Sequence, residues 1–347
     1  MHQDLEAWLD KVWTERDRII AESPTGHSGR GVHLGDKNPA IWNVYRIYNS
    51  LEDGGGAIGS SDRASVADFI DELDKLEKHT GIDPVVQIGS DAADLTRGSL
   101  VMIKSNPITC ETRDGKKIDL SLQRIGTCFV HFSKGGPATH RIYLNILPAY
   151  LGGAFRRIYT LINDERTLSS AKVTGPLARV RADSIVIYLT GRDGIKPVTE
   201  KIQTYHAKNK SQFGAAVPRL TTPVKGMQGV SIGMEPPSIT VVRSGGSYYA
   251  AETAQSFGFY RASLIFMALD RTRFTAPGQG DTDRARAFKR RAAKYFRAAG
   301  IDPDRPSEQD VPPDLKPLIE LEYWIEGELE QDGDYYKPGA KVHVKKK

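Results

Sequence analysis

In FVHFSKGGPATHRIYLNIL, residues 129–147, apolar and polar side chains alternate through the last eight positions. An extended chain turns successive side chains to opposite faces. Ile142, Leu144 and Ile146 therefore fall on one side, and Arg141, Tyr143 and Asn145 on the other. The apolar set marks a core face. The second set, a guanidinium, a phenol and an amide in line, supplies the donors that hold an anion. His131 lies on the preceding strand, and Lys134 stands at that strand's end, ahead of a Gly-Gly turn. A connection of this length predicts that the two strands pair antiparallel and bring these groups within side-chain reach.

Further cations follow. SSAKVTG, residues 169–175, places Lys172 on a short strand, and LARVRADSIVIYL, residues 177–189, adds Arg179, Arg181 and Tyr188. Two or three guanidinium groups with a lysine suit a phosphate or a carboxylate. The plainer alternative is a half-exposed sheet whose polar residues serve solubility. In AETAQSFGFYRASL, Ser256 reads as a helix N-cap, and Arg261, early in a buried-looking helix, needs a partner for its charge. No Walker loop, strand–GxGxxG–helix, GxSxG or HExxH occurs, and the histidines lack metal-ligand spacing. Neither a cofactor nor a metal is expected.

These residues need elements to position them. Residues 1–22 read as an amphipathic helix with Leu5, Trp8, Leu9, Val12 and Trp13 on one stripe. AIWNVYRIYNSL is a second helix, and a third runs to His79 with Gly81 as its stop. From about 98 to 148 the chain reads as strands, with an Asp-Gly hairpin turn in ETRDGKKI. A helix, two strands and a second helix follow, then a Pro/Gly-rich loop over 215–237, a buried helix from 256 and charged helices beyond. This order predicts an α+β fold, a mainly antiparallel central sheet flanked by N- and C-terminal helices. Residues 98–190 and 228–250 are expected to supply most of one sheet. The expected regions are N-terminal helices over 1–97, an α+β core carrying the site over 98–275, and C-terminal helices with a basic tail over 276–347.

The 347 residues, 39% hydrophobic and 26% charged, are those of a soluble globular protein, without an apolar run of membrane-spanning length. The net charge of +5 gathers in RARAFKRRAAKYFRAAG and the terminal KVHVKKK. Nothing resembles a nucleic-acid module, so a solvated helix face and a tail are expected there. The N-terminus lacks the apolar stretch of a signal peptide. The two cysteines, Cys110 and Cys128, read as reduced thiols, consistent with a cytoplasmic setting.

HRIYLNIL, AKVTGPLARVRADSIVIYL, TTPVKGMQGVSIGMEPP and AETAQSFGFYRASLI stand in an order and spacing that resemble the HopA family of type III effectors. That family includes HopA-like proteins encoded beside class V lanthipeptide synthetases. The resemblance covers roughly residues 40–270 and lies in the order of the motifs. It implies an α+β fold without a cofactor and two settings. In plant pathogens such proteins are delivered into host cells and engage immune regulators. In lanthipeptide clusters they eliminate phosphate from phosphoserine or phosphothreonine, with a kinase or other modification enzyme as partner. FVHF, RIYL and AKVT are more distantly similar to the motifs of phosphothreonine lyases. By that similarity Lys172 matches the catalytic base and Arg141 a phosphate-binding lysine, while Tyr143 stands where the lyases have a general-acid histidine.

Elimination from a phosphorylated residue needs a base at Cα, charge neutralisation on the phosphate and an acid at the leaving oxygen. Lys172 is the candidate base, with Tyr143, His131 or Lys134 as donor. Arg141, Asn145, Lys134, Arg179, Arg181 and Arg261 are the candidate substrate ligands. Three classes stay open: a phosphate-eliminating lyase acting on a phosphorylated peptide or protein, a non-catalytic effector, and a phosphopeptide-binding subunit.

Overall fold

The computed structural model describes residues 1–21, 39–50, 63–88, 91–94, 109–111, 117–119, 126–178, 182–236, 239–244, 247–252, 256–272 and 280–309. In chain order the elements are α1 (Gln3–Thr14), α2 (Arg16–Ala21), α3 (Pro39–Ser50) and α4 (Arg63–Thr80). Next come β1 (Val85–Ile88), β2 (Asp91–Asp94), β3 (Thr109–Glu111), β4 (Lys117–Asp119), β5 (Phe129–Ser133) and β6 (His140–Leu144). They continue through α5 (Leu151–Ile162), β7 (Leu168–Thr174), β8 (Ile185–Leu189), α6 (Ile195–Lys208), β9 (Thr222–Pro223) and β10 (Val230–Met234). The last are β11 (Ile239–Ser244), β12 (Ser247–Glu252), α7 (Phe257–Thr272) and α8 (Asp281–Ala298). The fold is α+β. Compactness groups the chain into residues 52–233 and, separately, 1–51 with 234–347. The cuts expected at 97/98 and 275/276 follow the change between helical and strand spacing along the chain.

The 52–233 unit is built on an eight-stranded sheet of order β2-β1-β5-β7-β8-β6-β10-β9. The pairings from β2 through to β6 are antiparallel, as is β9 with β10. Two sequence expectations are corrected here. Strands β5 and β6 do not form a hairpin, because β7 and β8 lie between them. Three strand spacings, about 14 Å, separate them instead. Residues 239–252 do not join this sheet either, since β11 and β12 make a two-stranded sheet of their own, as do β3 and β4. Within 228–250, β10 joins the sheet as expected, while the loop expected over 215–237 also contributes β9, and β1 and β2 extend the other edge.

One face of this sheet meets the helices. Val130, Phe132, Ile142, Leu144, Ala171, Val173, Ile185 and Ile187 point to it and join Phe69, Leu73, Phe155 and Ile158 in a single core. Phe132, Phe155 and Tyr159 interlock with ring centroids 5.7–5.8 Å apart. Helices α4 and α5 approach closely at Gly152, where a Cβ would sit 2.9 Å from the Phe69 Cα. Helix α4 stops at Gly81, whose φ of 69° lets its N–H return to the Glu77 carbonyl at 2.8 Å.

The other unit is helical. Leu5, Trp8, Leu9, Val12 and Trp13 are the buried stripe of α1, and the Trp8 Nε1 donates to the Val44 carbonyl at 3.1 Å. Helix α7 packs on α3 and α8, and Phe257, Tyr260, Leu264 and Phe266 are buried in it. The Ser256 hydroxyl caps it by accepting from the Phe259 N–H at 3.2 Å. In α8 the basic run is not simply a solvated face. Phe288, Ala292, Tyr295 and Phe296 are buried, and Lys289 bridges to Glu6 and Asp10 of α1 at 3.2 and 2.7 Å. The terminal KVHVKKK lies outside the described residues. No helix among the described residues is long and apolar enough to cross a membrane.

Candidate functional site

Antiparallel strands in register stack paired residues on one face. His131 pairs with Lys172, Lys172 with Val186, and Val186 with Tyr143, so these four form one row across β5, β7, β8 and β6. In the next row Ser133 pairs with Ser170, Ser170 with Tyr188, and Tyr188 with Arg141. The chain skips Ser169 in a local irregularity, which keeps Ser170 in register. Both rows lie on the face opposite the helices. The hairpin expected to gather His131, Arg141 and Tyr143 is absent, and the order of four strands gathers them in another way.

Burial grades across the rows. Arg141 and Tyr143 are 6% and 3% exposed, whereas His131, Lys172 and Tyr188 are half-buried and Ser133 is exposed. Solvent thus reaches the cluster from the β5–β7 side. The Arg141 guanidinium sits 5.0 Å from the Tyr188 ring centroid, and the Lys172 Nζ 4.3 Å from that of Phe129. Each cation is thereby steered by an aromatic face on the same side of the sheet. Burial, and secondarily the Lys172 charge, lowers the His131 pKa to about 4. His131 is therefore a neutral imidazole near pH 7. It can accept a proton or a hydrogen bond, but it is no imidazolium donor, which leaves the Tyr143 phenol as the row's O–H donor.

The remaining candidates have other surroundings. Lys134 lies at the end of β5, where its Nζ donates to the Asn163 carbonyl at 2.6 Å. Asn145 is buried, and its Nδ2 donates to the Ala216 carbonyl at 2.9 Å. Its own backbone bonds Gly229 and Gly214 at 2.8 and 2.9 Å, so it ties two loops together. Arg261, fully buried in the other unit, donates from Nε and Nη2 to the Pro306 carbonyl at 2.9 and 2.7 Å and from Nη1 to the Phe257 carbonyl. That satisfies the partner its burial demands. Arg179 and Arg181 lie outside the described residues. Sequence reasoning missed Phe129 and Val186, though period-two spacing from His131 would have flagged Phe129. Cys128 is a buried free thiol, its pKa pushed up to about 12 by burial.

The model of the HopA1 effector protein family matches residues 118–307. The chain belongs to this family. The HopA1 match contains every strand of the two rows and the whole of α5 and α6. An effector protein from Pseudomonas syringae pv. syringae strain 61 shares the fold at a TM-score of 0.50 and 15% identity, covering 89% of this chain and 96% of its own. A second, from Pseudomonas syringae pv. tomato strain DC3000, aligns at 0.49 and 17% identity over 88% of this chain and 100% of its own. A phosphothreonine lyase aligns over 59% of this chain and 99% of its own, at a TM-score of 0.26 and 10% identity, too slight a likeness to build on. None of the curated proteins matches the sequence.

Proposed function

We propose that this HopA1-family protein eliminates phosphate from phosphoserine or phosphothreonine in a peptide or protein, leaving a dehydroamino acid. The observation that carries the reading is the shared face, on which Lys172 pairs with His131 while Arg141 and Tyr143 stand on β6 in the same two rows. In the proposed step Lys172 takes the Cα proton, the Cβ–O bond breaks as the Cα=Cβ bond forms, and the phosphate leaves with the bonding pair. Arg141 neutralises the phosphate, and the Tyr143 phenol donates to the leaving oxygen. Substrate enters from the half-buried side at Phe129 and Lys172. Lys134, Asn145 and Arg261, each engaged with backbone carbonyls, support the frame of the protein in this scheme.

One observation favours a second reading. The Lys172 Nζ over the Phe129 ring is the geometry of a held ammonium, which suits a non-catalytic effector or subunit that binds a phosphopeptide. Mass spectrometry of an incubated phosphopeptide separates the two. Elimination removes phosphoric acid, ~98 Da, whereas hydrolysis removes ~80 Da and binding removes nothing. Lys172→Ala is expected to abolish the ~98 Da loss and keep phosphopeptide binding, since a base acts mainly in the transition state. No mass loss with any phosphopeptide, including a precursor peptide supplied with its kinase, would leave the binding reading.

A further inference from the structure

The helical layer of the 52–233 unit carries two adjoining surface cavities. One, of about 430 Å³, lies between α4 and the start of α5 and is lined by Asp68, Asp71, Glu72 and Tyr150. The other, of about 360 Å³, lies between α5 and α6 and is lined by Arg157, Thr160, Leu161, Thr204 and Lys208. Arg157 and Tyr205 line both, so the two form one groove. Tyr150 and Leu161 are 43% and 40% exposed, and they are two of the four large hydrophobic side chains left exposed among the described residues.

Both signs line this groove, Lys75 standing with Asp68, Asp71 and Glu72 in the first cavity, and the two ends differ in which charges are already paired. Arg157 and Lys208 make no hydrogen bond or ion pair among the described residues, nor does Asp68 at the other end, and all three are exposed. Arg156 and Lys75, by contrast, are both engaged by Glu72 at 2.6 Å. Among the described residues, one end therefore offers unpaired cations beside an apolar hollow, and the other an unpaired carboxylate beside a tyrosine. Glu72 is neutralised by Arg156 and Lys75, so Asp68 is the charge at that end that would repel a phosphate polymer or an anionic lipid surface. A polypeptide is the polymer that carries both signs with apolar side chains between them.

We infer that this groove docks an extended peptide segment of a partner protein, acidic and apolar at the Arg157–Lys208 end and basic at the Asp68 end. An apolar side chain fills the α5–α6 cavity with a carboxylate against Arg157 and Lys208, and a cation further along meets Asp68. From Tyr150 to Leu161 the helix rises about 16 Å. An extended peptide covers that in about five residues. Helices α4 and α5 pack on the core face of the sheet, opposite Lys172, so the groove is independent of any elimination.

The test uses the full chain and two fluorescein-labelled decapeptides read by anisotropy at low salt. One carries Leu-Glu-Leu-Glu, a Gly-Ser-Gly-Ser spacer and Lys-Lys, and the other carries the same blocks in reverse order. One of the two is expected to bind saturably. Arg157→Glu with Lys208→Glu should weaken it at least ~10-fold, and Asp68→Lys should weaken it less. Leu161→Ser, which touches no charge, should also weaken it, because the hollow holds an apolar side chain, and undiminished binding by this variant would overturn that placement. All four positions are exposed, and unchanged melting curves establish that each variant is folded. The inference is overturned if neither peptide binds, if the charge-reversed protein binds undiminished, or if anionic vesicles displace the peptide.

Discussion

Strand β7 turns Ala171 and Val173 to one face of the sheet and Ser170 and Lys172 to the other, and β6 divides Ile142 and Leu144 from Arg141 and Tyr143 in the same way. The first face is sealed by α4 and α5 into the core. The second collects an imidazole, an ammonium, a guanidinium and two phenols in two rows. The contrast teaches that core packing and the ionisable side chains are allotted here by parity along the strand. A single-residue slip in register would exchange them.

The sharpest way to break the comparison is to cut each face in turn. Leu144→Ala removes a fully buried side chain and is expected to cost about 2–5 kcal/mol. Tyr188→Phe, on the half-buried face, should cost under ~1 kcal/mol. Denaturant unfolding of the two variants measures both, and equal losses would mean that the polar face is a second core.

Acid separates the faces next. The His131 pKa in the folded protein, about 4, lies below its ordinary value near 6.5 because burial and then Lys172 disfavour the imidazolium. Between these values the unfolded chain binds more protons. The stabilisation is therefore full above pH 6.5 and drains as the pH falls through 4, by about 3 kcal/mol for this shift. His140 and His206 are lowered in the same direction, mainly by burial. Replacing His131 with Asn should reduce the drop in melting temperature between pH 7 and 4, and an unchanged drop would place the sensitivity elsewhere. A smaller effect than the acid drop is expected at Asn145, whose replacement by Ala removes the bond to the Ala216 carbonyl at a cost of about 1 kcal/mol. Faster amide exchange over 214–230, with the β7–β8 amides unchanged, would mark Asn145 as a tie between loops.

Much of this was legible in the sequence because strand parity is local. HRIYLNIL alone divides Ile142, Leu144 and Ile146 from Arg141 and Tyr143, and the core contains all three aliphatics. Strand order is not local, and the short link between β5 and β6 reads as a hairpin although β7 and β8 insert between them. Arg141, Tyr143 and Asn145 share a sequence pattern, yet only the loops that return from 214 and 229 make Asn145 a tie. Arg261 shows the same limit. Its burial was foreseen, but its partner is a carbonyl 45 residues away that no local pattern announces. VVQI, too short and too little alternating, gave no warning that β1 would pair with β5.

The central claim is that the cationic face takes a phosphate, which both the lyase and the binding readings require. Calorimetric titration of the full chain with a phosphopeptide and its unphosphorylated twin tests it most directly. The account predicts a preference for the phosphorylated form that Arg141→Gln erases and Lys172→Ala largely keeps. Equal binding of the two peptides would contradict it, as would a preference that survives Arg141→Gln in a protein whose melting temperature is unchanged.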